Sequence, residues 1–320
     1  MGITVLLTTY NAERFLSDTL QSVSRQVRKP DEVLIVDDHS KDSTLALVQH
    51  WANEQPYPVR ILQNQLAHDL WAGPGPAAGR MTGLLEVGSE LVALLDHDDL
   101  MLPHHLRLTE QAFGRHPDLE LCFGDATEFT EGAASERNFS NGTRLHEVAF
   151  RQGEEEGLRI VTEPIFETML TGSYIPTAAN LWRSSTAKKI GGFMPHAGTC
   201  DDSLFFMCLS RMGTVAYYPY PIARKRDYPG NLTTSPANAL RINWNSYDAI
   251  AILLEDAERW HLTSEEVSLA NARLDQLQSH ILYHSSKSGW KTYNKSRQRL
   301  GSRGKLRIGD LIRSVLSSGK

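Results

Sequence analysis

Leu91-Val92-Ala93-Leu94-Leu95-Asp96-His97-Asp98-Asp99 is the stretch on which the fold of this chain turns. A short apolar run of this kind reads as a strand buried on both faces of a parallel sheet, and ligands of open α/β sheets gather at the carboxyl ends of such strands. Asp96, Asp98 and Asp99 therefore stand where a ligand would. Carboxylates this close raise one another's pKa values unless positive charge lies among them, and a hard, oxygen-seeking cation such as Mg²⁺ or Mn²⁺ supplies it. A cation held there would bind diphosphate. Asp99 also reads as a helix cap ahead of Leu100-Met101-Leu102-Pro103, a reading that leaves Asp96 and Asp98 unexplained.

Upstream, Ile3 to Thr8 reads as a first buried strand. An amphipathic helix follows, with Phe15, Leu16, Leu20 and Val23 on one face. Glu32 to Val36 is a second strand, ending in Asp37-Asp38-His39-Ser40. Val59 to Leu62 is a third, followed by Gly73-Pro74-Gly75-Pro76 and a helix from near Ala77. Strands and helices alternating at this spacing predict βαβ units and an α/β fold with a mostly parallel central sheet. Thr8 to Asn11, Asp37 to Ser40 and Asp96 to Asp99 then share one sheet edge. No Gly-x-Gly-x-x-Gly or Gly-Lys-Ser/Thr loop is present, so a phosphate must be held in another way. Asp38 is suited to accept a hydrogen bond from a nucleobase imide, and Tyr10 to stack on that base. The plainer alternatives are a half-buried Tyr10 with a wet hydroxyl, and Asp37, Asp38 and Asp42 as caps of the helix after Ser43.

The composition is that of a globular chain large enough for one sizeable domain and an appendage: 320 residues, 41% hydrophobic and 22% charged. The net charge of -5 is unevenly spread, because after Asp275 ten basic residues face a single acid, Asp310. The body of the chain is therefore acidic, which excludes a nucleic-acid protein. No apolar run approaches the roughly 20 residues that span a bilayer, and no charged leader precedes the first strand, so the expected location is cytoplasmic. Cys122, Cys200 and Cys208 lack metal-site spacing and read as free thiols.

Thr8-Thr9-Tyr10-Asn11, Val36-Asp37-Asp38-His39-Ser40 with Asp42 and Thr44, and Leu95-Asp96-His97-Asp98-Asp99 resemble, in order and spacing, the motifs of the inverting family 2 glycosyltransferases. The resemblance covers residues 1 to 235 and implies the GT-A fold, with a donor half at 1–125, an acceptor half at 126–235 and a helical region at 236–320. It also implies a uridine or thymidine nucleotide sugar bound by Thr8, Tyr10, Asn11 and Asp38. Asp96, Asp98 and Asp99 would hold ribose and a divalent metal, Mn²⁺ or Mg²⁺. Two positions depart from the family. Ala78-Gly79-Arg80-Met81-Thr82-Gly83 keeps the arginine and glycine of its Ala-Arg-Asn-x-Gly motif without the asparagine, and Arg80 is expected to face the diphosphate. Arg224-Lys225-Arg226-Asp227-Tyr228 looks like the loop that closes on the donor, with Arg226 at the family's arginine and Tyr228 where histidine is usual.

Downstream, Leu119 to Phe123 reads as a strand, residues 126 to 157 as a long polar loop bordering the acceptor, and Tyr174 to Trp182 and Thr214 to Tyr218 as further strands. Asp201-Asp202 precedes the apolar run Leu204, Phe205, Phe206 and Leu209. An inverting transfer needs a carboxylate to take the acceptor hydroxyl's proton, and Asp202 is the expected base, with Asp201 orienting it or holding acceptor hydroxyls. Both acids also suit the N-terminus of a helix over Ser203 to Met212. From Ala237 the chain reads as helical, with Ser264 as a cap, and ends in a basic amphipathic tail. That tail suits either packing on the protein or peripheral contact with an anionic membrane. The expected activity moves a sugar from a nucleotide-sugar donor to a hydroxyl of a glycan or lipid-linked glycan acceptor, in surface polysaccharide assembly. The residues leave open a sugar-1-phosphate nucleotidyltransferase and a non-catalytic nucleotide- or glycan-binding module.

Overall fold

The structure is a computed structural model. It describes residues 1–66, 76–132, 136–154, 156–172, 175–194, 197–231, 238–301, 304 and 308–317. Gly73 to Gly75, Tyr174, Leu232, Thr233, Arg303, Lys305, Leu306, Arg307 and Lys320 lie outside the described residues.

The first strand, β1 (Ile3–Thr9), is buried along its whole length, as its unbroken apolar run requires. After it come α1 (Leu16–Ser24), β2 (Glu32–Asp37), α2 (Thr44–Ala52), β3 (Val59–Gln63), α3 (Pro76–Glu86) and β4 (Leu91–Asp96). Then follow β5 (Leu100–Met101), α4 (His105–Arg115), β6 (Leu119–Phe129), β7 (Arg137–Asn138), β8 (Phe150–Gln152), β9 (Arg159–Val161) and α5 (Ile165–Met169). The last of this unit are β10 (Asn180–Arg183), α6 (Ser184–Lys189), α7 (Asp201–Ser210) and β11 (Thr214–Arg226).

One mixed sheet runs in the order β3-β2-β1-β4-β10-β6-β11-β9-β8, with β5 on β11 and β7 on β6. The first four strands are mutually parallel, β10 is antiparallel between β4 and β6, and β11 is parallel to β6. Leu91 to Leu95 are fully buried, and each leucine and valine among them stabilises the fold by about 1.5–3 kcal/mol. The register sets Thr8 opposite both Val36 and Asp96, and Thr9 opposite Asp37, so three strand ends finish level.

Four expectations need correction. β6 continues past Phe123 to Phe129, which takes the first residues of the supposed long loop into the sheet. Gly124 does not break it: a Cβ there would lie 2.5 Å from Ile222 Cγ1, so glycine is what lets β6 lie against β11. β11 likewise continues past Tyr218 to Arg226, its prolines accommodated where the register shifts around Pro221, so Arg224-Lys225-Arg226 is strand. Regular pairing before α6 is confined to Asn180–Arg183. Asp99 caps no helix, because Leu100 and Met101 pair with β11 and α4 begins only at His105.

The described residues divide into two compact units, Met1–Tyr228 and Pro229–Lys320. The second is helical: α8 (Ala239–Glu255), α9 (Ser264–Lys287), α10 (Trp290–Leu300) and α11 (Ile308–Ser317). Thr263, rather than Ser264, caps α9 in a reciprocal capping box with Glu266. α11 packs on α9, with the Arg313 guanidinium 4.6 Å from the Tyr283 ring centre. Among the described residues no helix is long and apolar enough to cross a membrane.

Candidate active site

At the end of β1, Thr8 is nearly buried and Tyr10 is 52% exposed, an aromatic face open to solvent. Asn11 has φ 45°, a left-handed conformation that asparagine tolerates, and it is clasped by Ser40 Oγ, which accepts from its N–H, and by the Lys41 N–H, which donates to its Oδ1. The three neighbouring acids divide their work. Asp42 Oδ1 accepts from the Thr44 N–H and hydroxyl, capping α2. Buried Asp37 closes the turn, accepting from Thr9 Oγ1 at 3.0 Å and from the Ser40 N–H at 2.9 Å. Asp38 does neither and takes a hydrogen bond from Asn64 Nδ2 at 2.9 Å. Sequence reading passed over Asn64, whose signal was its place just past the end of β3.

The acids of the central strand do not converge on one point. Asp96 accepts from Arg80 Nη2 at 2.7 Å, and although burial alone would raise its pKa, Arg80 holds it below the usual carboxylate range. Asp99 is 2% exposed and accepts from the Arg226 N–H at 2.9 Å. Its carboxyl is pushed up to about 7 by burial, with Asp98 and Asp96 adding to the shift and Lys225 opposing it. Asp98 accepts from the Tyr228 hydroxyl at 2.9 Å. Among the described residues no group of three His, Cys, Asp or Glu side chains is arranged to hold a metal ion. Mg²⁺ and Mn²⁺ bound with nucleotides rest on one or two carboxylates, phosphate oxygens and water, and Asp98 alone fits that smaller role. Arg80 and Lys225 bring positive charge among Asp96, Asp98, Asp99, Asp201 and Asp202.

Arg80, expected to face the diphosphate, is buried among carboxylates. Its Nη1 lies 2.9 Å from both oxygens of Asp201 and 3.9 Å from Asp202 Oδ2, and the side chain is 2% exposed. Gly79 and Gly83 allow this depth: added Cβ atoms would come within 3.2 Å of Thr8 Cγ2 and 2.2 Å of Leu6 Cδ1, so α3 lies tight on β1. The three carboxylates hold Arg80 firmly protonated against the cost of burial. Asp201 is fully buried. Burial and Asp202 push it up to about 7, while Arg80 pulls the other way.

Asp202 is half-buried in the first turn of α7. Its Oδ1 accepts from the Ser203 N–H at 2.6 Å, and its Oδ2 accepts from Thr177 Oγ1 at 2.8 Å. It therefore sits at a helix N-terminus and faces the end of β4 at once. Thr177 carried no motif and was found only in three dimensions.

Arg226, expected to touch the donor, is 2% exposed, with Nε donating to the Asp98 carbonyl at 3.0 Å, ion pairs to Asp18 and Glu131, and its guanidinium 4.5 Å from the Phe15 ring centre. It braces the loop that carries Asp98. Lys225, between Arg224 and Arg226 on β11, feels Asp99, Asp96, Asp98 and Asp202.

Residues 4–138 match the model of glycosyl transferase family 2. The Escherichia coli UDP-Glc:alpha-D-GlcNAc-diphosphoundecaprenol beta-1,3-glucosyltransferase WfgD is 28% identical over 106 residues, 33% of this chain and 38% of that one. The matches span between 33% and 50% of the length of such curated relatives. Among solved structures, residues 1–349 of Staphylococcus aureus TarS in complex with UDP-GlcNAc superpose with a TM-score of 0.60 at 18% identity, covering 100% of this chain and 80% of that one. The Pyrobaculum calidifontis mannosyltransferase PcManGT, in complex with GDP-Man and Mn²⁺, gives 0.60 at 17% identity, covering 99% and 79%. At these identities the likeness is one of fold, GT-A.

Proposed function

We propose that this chain, whose residues 4–138 match the glycosyl transferase family 2 model and whose fold is GT-A, is an inverting enzyme moving a sugar from a UDP- or dTDP-sugar to a hydroxyl of a glycan or lipid-linked glycan, in surface polysaccharide assembly. The observation that carries this is the joining of the end of β4 to the head of α7 through Arg80, which sets Asp202 beside the acids of the central strand.

In this reading the nucleoside lies against Thr8, the open ring of Tyr10, Asn11 and Asp38, with Asp96 toward the ribose. Asp202 accepts the proton of the acceptor hydroxyl as that oxygen attacks the anomeric carbon from the face opposite the departing diphosphate. Its hydrogen bonds from Thr177 and the Ser203 N–H stabilise the carboxylate and fix its direction. A divalent cation, held by Asp98, would neutralise charge on the leaving diphosphate. The Mn²⁺ of the PcManGT complex supports that role. Lys225 supplies a further positive charge beside the same carboxylates.

Peripheral membrane contact through the tail belongs to the same reading and is supported by Val315 and Leu316 on α11, 59% and 72% exposed. Thermal shift against a panel of UDP-, dTDP- and GDP-sugars with Mn²⁺, followed by nucleotide-release assays, tests the activity. Stabilisation by a UDP- or dTDP-sugar together with release of its nucleotide supports it, whereas binding without turnover across the panel points to a binding module.

A further inference from the structure

Asp96 ends a strand at the donor edge, Asp201 and Asp202 begin a helix more than a hundred positions later, and a single side chain joins them. Arg80 donates from Nη2 to Asp96 at 2.7 Å and from Nη1 to both oxygens of Asp201 at 2.9 Å, leaving Nη1 3.9 Å from Asp202 Oδ2. Asp201 is 0% exposed and Arg80 2%, so neither can reach a substrate. A planar guanidinium that bonds Asp201 from Nη1 and Asp96 from Nη2 holds the two carboxyl groups at a fixed separation.

We propose that Arg80 is a positioning residue for the transfer: through Asp96 and Asp201 it locks the head of α7 to the end of β4 and so sets the place of Asp202. The inference rests on Asp202 acting as the base. It differs from the resemblance, in which this arginine belongs to the diphosphate. The groups facing Asp202 are Arg80 from α3, Asp201 on its own helix, Thr177 from the segment before β10, and Lys225 from β11. Removing Arg80 leaves Lys225 as the remaining cation among them.

The test uses the full chain and the nucleotide sugar it turns over fastest, following nucleotide release for wild type, Arg80→Lys, Arg80→Gln and Asp202→Asn, with UDP affinity measured by calorimetry. Arg80→Lys keeps the charge but cannot bond both carboxyl groups in the same fork. Its kcat is expected to fall at least about tenfold, with KM and UDP affinity within about threefold of wild type. Arg80→Gln removes the charge as well as the two-sided bonding, and its kcat is expected to fall at least as far as that of Arg80→Lys, again with KM and UDP affinity within about threefold of wild type. Should Arg80→Gln not fold, the split between kcat and KM in Arg80→Lys decides. A rise in KM and a loss of UDP affinity with kcat unchanged would return Arg80 to the diphosphate and overturn the proposal, as would unaltered kinetics in both variants. If Asp202→Asn itself turns over normally, the proposed function fails; if Asp202→Asn is inactive and the Arg80 variants are normal, only this inference does.

Discussion

Arg80 and Asp201 form a two-pronged ion pair, both distances 2.9 Å, in which neither partner is more than 2% exposed. A buried pair of this kind owes its persistence to mutual compensation more than to net stabilisation, because each ion alone would be costly to bury. Around it are arranged the donor end of the sheet and the helix that carries Asp202.

Breaking that pair from one side should be severe for folding. Arg80→Leu leaves Asp96 and Asp201 without their shared cation and is expected to lower stability by about 3–5 kcal/mol. Urea unfolding followed by circular dichroism measures this, and adding Asp201→Leu to Arg80→Leu should restore part of the loss.

Asp98 is the acid of the central strand end that is left to serve a cation, since Asp96 is bonded to Arg80 and Asp99 is turned inside. Asp98→Ala should therefore abolish Mn²⁺-dependent enhancement of UDP binding and bring affinity in saturating Mn²⁺ down to the level seen in EDTA. Calorimetry with and without metal reads this directly.

Tyr228 places its hydroxyl 2.9 Å from Asp98 Oδ2, so position 228 reaches the same point as the proposed cation. Tyr228→His puts an imidazole nitrogen there and is expected to raise Mn²⁺ affinity of the UDP complex by about tenfold, the scale on which one added ligand or its support acts. Tyr228→Phe, which removes the hydroxyl without adding a ligand, should not.

Acid should weaken the fold through His105, which is fully buried and donates from Nε2 to the Asn180 carbonyl at 3.0 Å. Burial pushes its pKa down to about 4, so the native chain keeps it neutral while the unfolded chain takes up a proton below about 6.5. Its contribution is fully present above about pH 6.5 and is lost as pH falls toward 4, by up to about 1.4 kcal/mol per unit. Urea midpoints at pH 7, 6 and 5 should decline less steeply in His105→Gln than in wild type.

The sequence made the parallel half of the sheet legible because its strands are continuous apolar runs ending in polar clusters, and Thr8, Asp38 and Asp96 fall level at one edge for that reason. The second half was harder to read because its cues point the wrong way. Gly124 and the prolines at 219 and 221 look like breaks, yet they are what a strand needs where β6 and β11 press together and slip register. The burial of Arg80 and Arg226 was not legible for a related reason. It depends on acids far away in the chain: Asp201 for the first, Asp18 and Glu131 for the second. Thr177 and Asn64, which orient Asp202 and Asp38, belong to no spaced motif.

The account stands most directly on Asp202 as the group that takes the acceptor's proton. Nucleotide release from the preferred sugar donor by Asp202→Asn, measured beside UDP affinity, is the decisive comparison. Turnover should fall by about 10²–10⁴-fold, the usual contribution of a general base, with UDP bound as tightly as by wild type. Wild-type turnover in Asp202→Asn would contradict the account.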